Sequence, residues 1–252
     1  MSLEVKCINP GKFLLLDMES KQSYATFYTK YQDIVNSKGD TVATEVLSRV
    51  RLNTGNDLCS EMFFKVIDDN VIKDLVLNQI KGTYGQYGHH PNVGSGRLYA
   101  FNVSASCLED STFVNTLLAL DCPSFALEVN NTPNFYLSEC AINNAKTLRQ
   151  VGHEIWFDDC FVFNELCQNL SMPNSMMWDV VKIDKSFLLL DECYPGELVA
   201  LVNKLLENYK CVVVEGIEHL SQASLFRSNN RVLLQGYYFS SCLYYSDWFQ
   251  LN

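Results

Sequence analysis

Long hydrophobic runs are missing from this sequence, and no segment at its amino terminus resembles a secretory signal. Uninterrupted apolar stretches, such as residues 13–16 and 187–190, are far shorter than the roughly 20 residues that a membrane-spanning helix needs. Low-complexity segments, heptad arrays and short repeats are absent as well. We therefore expect a folded cytoplasmic protein without a membrane partner.

Basic residues are in short supply: 19 lysines and arginines stand against 29 aspartates and glutamates, for a net charge of −10. A protein that binds duplex nucleic acid irrespective of sequence displaces counterions with a basic surface. We therefore expect no double-stranded nucleic-acid partner. An acidic enzyme that acts on a phosphate-bearing ligand has to offset its own charge locally, and bound cations are the most direct means.

The ten cysteines include no Cys-x-x-Cys pair, and the four histidines lack the spacing of metal ligands. Neither a zinc site nor a Cys–His nucleophile is therefore indicated. Several cysteines lie in apolar stretches, such as Cys211 before three valines. This pattern favours small buried side chains in a reducing compartment over disulfides.

The sequence does contain enough apolar residues for one large domain: 48% of its 252 residues are hydrophobic and 19% are charged. Short β-rich segments alternate with helical ones, which indicates βα units and a mainly parallel sheet. We predict a single α/β barrel. The predicted strands are 12–17, 24–35, 42–51, 97–103, 124–129, 154–158, 179–183, 210–214 and 231–238. The predicted helices are 58–80, 111–120, 137–151, 161–170, 195–208 and 220–227, and the predicted glycine-rich connection is 82–96.

Most predicted strands carry a polar or acidic residue near or just beyond their carboxyl end. In a parallel barrel the carboxyl ends of the strands meet at one face, and barrel enzymes carry their active sites there. These residues are therefore the candidate functional residues, although each one alone is more typical of a solvated turn, a helix cap or a plain strand end. They are Glu45, Asn102, Glu128, Asp158, Lys182, Glu215 and Gln235.

Several of these side chains suit a hard divalent cation, which prefers oxygen ligands. Glu45, Glu128 and Asp158 supply carboxylates. Asn102 adds an amide oxygen, and the adjacent Asp159 is available to a second cation. Two cations about 3.5–4 Å apart can hold the attacking and leaving oxygens of a phosphodiester and acidify a bound water.

Other charged residues suit supporting roles in phosphodiester chemistry. Glu215 is a candidate to bind the second cation or to take a proton from water, and Lys182 is a candidate to hold that water. Arg49, four residues after Glu45, is a candidate for a phosphate oxygen. The plainer alternatives are a helix cap for Glu215 and a surface ion pair for Arg49. The aromatic residues 237–239 fit packing, with a purine pocket as the alternative.

Eight short segments carry most of these residues in order along the chain. They are Tyr31-Gln32-Asp33-Ile34-Val35, Glu45-Val46-Leu47-Ser48-Arg49, Asn102-Val103-Ser104-Ala105, Leu127-Glu128-Val129-Asn130-Asn131, Phe157-Asp158-Asp159, Lys182-Ile183-Asp184-Lys185-Ser186-Phe187, Glu215-Gly216-Ile217-Glu218 and Gln235-Gly236-Tyr237-Tyr238-Phe239-Ser240. In this order, over roughly residues 27–243, they resemble the motifs of the EAL family, the cyclic di-GMP phosphodiesterases.

The resemblance implies a TIM-like barrel in which one strand is antiparallel to the others. It implies hydrolysis of cyclic di-GMP to linear pGpG with two Mg²⁺ or Mn²⁺ ions in bacterial signalling, and inhibition by the larger Ca²⁺. It also implies a homodimer, with a protein partner as a further option. Residues 1–26 would be an N-terminal extension or first strand, and residues 27–252 an EAL domain that we expect to stand alone.

The resemblance also assigns roles to individual residues. The implied ligands of the first metal are Glu45, Asn102, Glu128 and Asp158, and those of the second are Asp158 and Asp159. The implied catalytic residues are Glu215, Lys182 and Asp159. The implied substrate-binding residues are Arg49, Gln32, Gln235 and Glu218.

Three places depart from the family pattern. Asp33 replaces a proline, and Asn131 replaces a glutamate that supports the loop after the Asp-Asp pair. That loop begins with residues 160–163, which lack the two glycines of the family. A metal site needs its surroundings for orientation, so the changed loop bears directly on turnover. An active phosphodiesterase is the first prediction. An inactive EAL protein that senses cyclic di-GMP or binds another protein is the second, and a hydrolase of another phosphodiester is the third.

Overall fold

The structure is a computed structural model that describes residues 3–85, 97–130, 137–160, 178–193 and 196–247. The strands of these residues are β1 (Leu3–Asn9), β2 (Lys12–Asp17), β3 (Ser23–Val35), β4 (Thr41–Leu52), β5 (Asp57–Leu58), β6 (Leu98–Ser104), β7 (Ala126–Asn130), β8 (Glu154–Cys160), β9 (Val180–Ile183), β10 (Cys211–Val214), β11 (Val232–Gln235) and β12 (Leu243–Tyr244). The helices are α1 (Ser60–Phe64), α2 (Asp69–Thr83), α3 (Ala105–Glu109), α4 (Ser111–Leu118), α5 (Glu139–Gln150), α6 (Ser186–Cys193), α7 (Glu197–Leu205) and α8 (Leu220–Ser224). No described helix is long and apolar enough to span a membrane.

Eight of the described strands close into a barrel, in the order β3, β4, β6, β7, β8, β9, β10 and β11. Neighbours from β4 through β11 pair in parallel. β3 is antiparallel to β4 on one side and to β11 on the other. The predicted TIM-like α/β barrel with one antiparallel strand is therefore confirmed.

An antiparallel sheet extends one side of the barrel. β1 and β2 form a hairpin on the first half of β3, and the second half of β4 completes the sheet with β5. One face packs Phe13, Phe27 and Val50 against α1 and α2, where Phe63 contacts the ring of Phe27. β3 belongs to both the sheet and the barrel, and the domain boundary predicted between residues 26 and 27 lies inside it.

Two apolar layers enclose the barrel strands. The outer layer joins the strands to the helices and includes Phe101. The inner layer fills part of the barrel interior, where Trp156 is the largest side chain. Ala43, Ala100 and Ala126 belong to the same layer, and their small side chains leave room for the indole of Trp156.

The predicted barrel strands are confirmed to within a few residues, but the helices differ more. The predicted helix 58–80 is divided into α1 and α2, because Asp68 caps a new helix by accepting a hydrogen bond from the N–H of Asn70. The elements α3, α6, β1, β5 and β12 have no counterpart among the predicted elements. β1, for example, leaves most of its side chains partly or fully exposed and lacks a clear alternation. The predicted helix 161–170 and most of the glycine-rich connection lie outside the described residues.

Only one of the seven cysteines whose side chains are described is buried, namely Cys107. Cys59 and Cys140 are exposed, and the other four are partly buried. The prediction that most cysteines are small buried side chains is therefore wrong for these seven. Burial raises the pKa of the Cys107 thiol, so this side chain is protonated at neutral pH.

His153 is buried just before β8 begins. Its ring stacks on Phe125 with the centroids 3.9 Å apart, and its Nδ1 accepts a hydrogen bond from the Phe125 N–H at 3.3 Å. Burial lowers the pKa of His153, because the imidazolium would lose its hydration. A proton on Nδ1 would also face the Phe125 N–H donor. The folded protein therefore keeps His153 neutral.

Replacing His153 with glutamine should make the protein less sensitive to mild acid. Below a pH of about 6.5 the unfolded chain protonates this histidine before the folded state does, so stability falls as the pH falls. Well above that pH His153 is neutral in both the folded and the unfolded state, and it no longer makes the stability depend on pH. Urea unfolding at about pH 7.5 and about pH 5.5 should show a larger loss of stability for the wild type than for His153→Gln. Equal losses would contradict this account.

Candidate functional site

A ring of polar side chains lies on the inner face of the barrel, next to the inner apolar layer. Side chains alternate along a strand, so a residue two positions after a member of that layer points to the same face. Glu45 stands in this relation to Ala43. On the antiparallel β3 the order is reversed, and Gln32 precedes Ile34. The polar ring consists of Gln32, Glu45, Asn102, Glu128, Asp158, Lys182, Glu215 and Gln235.

Lys182 is the centre of the polar ring. Its Nζ lies 2.7 Å from Glu128 Oε2 and 2.7 Å from Glu215 Oε1. The same atom lies 3.2 Å from Asp158 Oδ1 and 3.3 Å from Glu45 Oε2. Four carboxylates therefore share one ammonium group, whose side chain is only 1% exposed.

Amide side chains orient Glu45. Asn102 Nδ2 donates to Glu45 Oε1 at 2.9 Å, and Gln235 Nε2 donates to Glu45 Oε2 at 2.6 Å. Gln235 Nε2 also donates to Gln32 Oε1 at 3.1 Å. Gln32 lies directly opposite Glu45 in the register of β3 and β4. Neutral donors therefore fix both oxygens of Glu45 without neutralising its charge.

The negative charge of the polar ring exceeds the charge of Lys182. Burial and the neighbouring Glu45 raise the pKa of Glu128 well above its ordinary value, and burial raises the pKa of Glu215 to about 8. Burial opposes ionisation of Glu45, but Lys182 and the hydrogen bonds from Asn102 and Gln235 together outweigh it, and the pKa of Glu45 is lowered. Burial would lower the pKa of Lys182, yet the carboxylates raise it well above its ordinary value. The ammonium group therefore stays charged, and part of the surrounding negative charge is not offset.

The donor set of the polar ring fits a hard cation. Glu45, Glu128 and Asp158 offer carboxylate oxygens, and Asn102 has a carbonyl oxygen beside the amide nitrogen that Glu45 engages. Glu128 Oε1 is buried without a hydrogen-bond partner among the described residues, which is costly unless a cation or a water meets it. As they stand, these carboxylates surround Lys182, and the described part of the chain contains no group of three or more His, Cys, Asp or Glu residues arranged to hold a metal. A divalent cation would therefore have to take over contacts that Lys182 makes.

A cavity of about 840 Å³ borders the polar ring. Residues of the ring line one end, and residues of α1 and α2 line another part of its wall. Tyr237 also lines the cavity and is 68% exposed, which argues against a packing role for this aromatic residue. Lys185 and Glu218 are among the other polar residues that line the cavity. The volume lies within the range of about 300–1,000 Å³ that is typical of small-molecule sites.

Most of the predicted site residues meet at this cavity. The predicted substrate-binding residues Gln32, Gln235 and Glu218 line it together with most of the polar ring. Asp159 follows Asp158 in β8, but its side chain lies outside the described part of the chain. Asn131 and most of the changed loop after Asp159 lie outside the described part as well.

Arg49 is not among the residues that line the cavity. Its guanidinium forms an ion pair with Asp57, and its Nη1 donates to the hydroxyl of Tyr244 at 2.7 Å. Arg49 lies away from the cavity because β4 is long and extends past the barrel into the antiparallel sheet. There β4 pairs with β5, which contains Asp57. The role of Arg49 as a phosphate ligand stays a prediction, and it requires this ion pair to open.

Asn130 belongs to the site although the sequence analysis did not single it out. Its Nδ2 donates to Asp158 Oδ2 at 3.0 Å, and it lines the cavity. Asn130 lies two residues after Glu128 on β7, so alternation along the strand directs both to one face. That spacing is the signal by which the sequence could have identified it. Asp158 is thereby held by Lys182 at one oxygen and by Asn130 at the other.

Asp33, which stands where the family has proline, connects β3 to the segment after β11. Its N–H donates to Ser240 Oγ at 3.0 Å, a bond that proline cannot form. Its carboxylate accepts a hydrogen bond from Thr44 Oγ1 at 3.1 Å and lies 3.7 Å from Arg97 Nη1. Ser240 is three residues from Tyr237, so the bond restrains the segment that carries this cavity residue.

Comparison with known families identifies the chain. The family model described as the EAL domain matches residues 17–241. This match covers most of the sequence, and the chain therefore belongs to the EAL-domain family. A comparison with curated proteins found no match.

Solved structures of EAL proteins share the fold. The EAL-domain protein from Listeria monocytogenes EGD-e is 23% identical with a TM-score of 0.70, over 89% of this chain and 92% of that chain. The Bacillus subtilis YkuI protein, in complex with its substrate cyclic di-GMP and calcium, is 19% identical with a TM-score of 0.64, over 86% of this chain and 56% of that chain. The EAL enzyme Bd1971, in its cAMP-bound form, is 22% identical with a TM-score of 0.66, over 89% of this chain and 66% of that chain. The chain thus spans about two thirds of Bd1971 and somewhat more than half of YkuI.

Replacing Asp33 with proline should loosen the segment around residues 236–240. Proline removes the N–H that binds Ser240, whereas asparagine keeps that N–H and can still accept a hydrogen bond from Thr44. Loss of one hydrogen bond of about 1 kcal/mol should speed amide hydrogen exchange in this segment about fivefold. The measurement is hydrogen–deuterium exchange followed by mass spectrometry, with Asp33→Asn as the control. Equal exchange in both variants would show that the bond to Ser240 does not restrain the segment.

Proposed function

We propose that this protein is a metal-dependent phosphodiesterase that hydrolyses cyclic di-GMP to linear pGpG and so lowers the level of this second messenger. The observation that carries the proposal is the convergence of four carboxylates on Lys182 at one end of the 840 Å³ cavity. Membership of the EAL family supports the choice of substrate, as does the complex of the related YkuI protein with cyclic di-GMP.

The proposed cofactor is Mg²⁺ or Mn²⁺. The residues that would hold the first ion are Glu45, Asn102, Glu128 and Asp158, and Asp159 is available to a second. When bound, such ions polarise a phosphodiester and lower the pKa of an attacking water. Ca²⁺ is larger and accepts looser geometry, so we expect it to support substrate binding and to inhibit turnover.

Glu215 is the proposed general base. A base works best when its pKa lies near the working pH, and burial raises the pKa of Glu215 to about 8. Lys182 Nζ contacts Glu215 Oε1 at 2.7 Å and so fixes the orientation of the carboxylate. Glu215 Oε2 is then the atom that takes the proton of the attacking water. Lys182 also keeps positive charge beside the reacting phosphate.

The cavity supplies groups for binding the rest of the dinucleotide. Tyr237 presents an exposed ring on which a guanine base would stack. Gln32, Gln235 and Glu218 offer hydrogen-bonding groups at the same cavity. Arg49 would bind a phosphate oxygen after it leaves Asp57.

A catalytically inactive EAL protein that senses cyclic di-GMP is the second candidate function. Two observations favour it: Arg49 is engaged by Asp57 and Tyr244, and Lys182 fills the space between the carboxylates. A protein that kept this arrangement would bind cyclic di-GMP without positioning cations for hydrolysis. Homodimerisation, a protein partner and a cytoplasmic location stay predictions from the sequence.

Purified protein incubated with cyclic di-GMP and Mn²⁺ or Mg²⁺ should release pGpG, which chromatography separates from the substrate. Glu128→Gln keeps the shape of a buried ligand and removes its charge, so the rate should fall at least about 100-fold. Lys204→Gln changes an exposed residue of α7 that lies outside the cavity and should keep the wild-type rate. An excess of Ca²⁺ should suppress the wild-type reaction.

Three outcomes would overturn the proposal that this protein is a cyclic di-GMP phosphodiesterase. Production of pGpG no greater than that of Glu128→Gln would rule out hydrolysis at this site. Tight binding of cyclic di-GMP without turnover would favour the sensor. Selective turnover of a cyclic mononucleotide or of a different cyclic dinucleotide would displace cyclic di-GMP as the substrate.

A further inference from the structure

Four basic residues and two tyrosines gather on the antiparallel sheet, on the face opposite α1 and α2. We call them the basic–tyrosine cluster, which consists of Lys12, Tyr28, Lys30, Arg49, Arg51 and Tyr244. The pairing of the strands brings them together: Lys12 lies opposite Tyr28, and Tyr28 lies opposite Arg49. Lys30 lies opposite Tyr244.

The tyrosine rings contact the cations directly. Lys12 Nζ lies 5.5 Å and Arg51 Cζ 5.6 Å from the centroid of Tyr28. Lys30 Nζ lies 5.0 Å from the centroid of Tyr244, and the two tyrosine rings meet edge to face at 6.2 Å. Cation–π attraction thus orders these basic side chains, a role that ion pairs with acidic residues would ordinarily have.

The cluster contains too few acidic groups for its cations. Asp57 pairs with both Arg49 and Arg51, and these guanidinium groups lower the pKa of Asp57 to about 2. Lys12 and Lys30 form no ion pair with the residues that the structure describes. Acidic residues outnumber basic ones by 29 to 19 in this chain, so the shortage is local. Like charges held this close repel one another unless an anion offsets them.

A second cavity, of about 690 Å³, opens at the cluster. Lys12, Tyr28, Arg51 and Tyr244 line it, and none of its lining residues lines the cavity of the polar ring. Thr29 lines it too, but Thr29 alternates with Tyr28 and Lys30 along β3, so its side chain lies on the face of the strand opposite the cluster.

We propose that this cavity is a second ligand site, which takes a small phosphate-bearing anion through Lys12 and Arg51. A planar guanidinium binds two phosphate oxygens at once, and an ammonium adds a compact charge. Asp247 also lines the cavity. Together with Asp57 it sets two carboxylates against the four cations of the cluster, which leaves the cations in excess. The volume exceeds what a bare phosphate fills, so an attached group such as a nucleoside would fit beside Tyr244.

Lys12 and Arg51, which take the anion at the second ligand site, have no role in the proposed hydrolysis, whereas Arg49 of the cluster is the proposed phosphate ligand of the phosphodiesterase. Lys30 and Tyr28 lie two and four residues before Gln32 on β3, on the same face, so the cluster adjoins the polar ring. Anion binding at the cluster uses none of the ring carboxylates. Failure of this proposal would therefore not imply failure of the proposed phosphodiesterase, and the reverse also holds.

Isothermal titration calorimetry with pyrophosphate and with GMP tests the second ligand site, in buffer stripped of divalent cations. Without such cations the carboxylates of the polar ring repel anions, and the part of the heat that depends on Lys12 and Arg51 reports on the cluster. The wild type should bind both ligands, and higher salt should weaken the binding. The double variant Lys12→Gln/Arg51→Gln should bind at least about 10-fold more weakly. Tighter binding of GMP would indicate a nucleotide, and tighter binding of pyrophosphate would indicate a bare phosphoryl anion.

A matched pair of substitutions controls for net charge. Lys146→Gln/Lys204→Gln removes two exposed cations from α5 and α7 and should bind both ligands as the wild type does. Equal weakening in the two double variants would overturn the proposal, and so would an absence of binding by the wild type. If circular dichroism shows that Lys12→Gln/Arg51→Gln is unfolded, Lys12→Gln alone carries the test with the same expected direction.

Discussion

One ammonium group in contact with four carboxylates is the interaction on which the rest of the site depends. Removing a charge from water costs several kcal/mol, and Lys182 is almost wholly buried. The ion pairs with the carboxylates offset the cost of burying the Lys182 charge. In the same way, the ion pair with Lys182 offsets the cost of burying Glu128 completely. The carboxylates still outnumber their counter-charge, because four of them share one ammonium group. In the proposed function, this excess of negative charge is what would attract a divalent cation to the polar ring.

The barrel brings these charges together through the alternation of side chains along each strand. Each strand contributes an apolar residue to the inner layer and, two positions away, a polar residue to the ring. The layer around Trp156 closes one side of the ring, and the cavity opens on the other. Asn102, Asn130 and Gln235 then orient individual carboxylates by hydrogen bonds. The polar ring is thus buried on one side and accessible from the cavity on the other. A ligand that enters the cavity can therefore reach negative charge that is only partly compensated.

The barrel and most of the polar ring could be predicted because most ring residues lie near or just after the end of a short β-rich segment, although Gln32 and Glu45 lie inside longer ones. Features that depend on contacts between residues far apart in the sequence could not be predicted. Arg49 has a partner on β5, which is only two residues long, and Asp33 binds Ser240 across 207 residues of sequence. The basic–tyrosine cluster combines residues from β2, β3, β4 and β12, whose side-by-side order follows from strand pairing and has no local signal. Asn130 is the exception, since its spacing from Glu128 was visible in the sequence.

Anomalous X-ray scattering from crystals soaked in Mn²⁺ tests the central claim most directly, because it locates the ion without relying on activity. The account predicts a peak about 2.2 Å from carboxylate oxygens of Glu45, Glu128 and Asp158, with Lys182 withdrawn from at least one of them. Crystals of Glu128→Gln should lose most of that peak. A map without a peak, in which Lys182 still touches all four carboxylates, would contradict the assignment of the polar ring as a metal site.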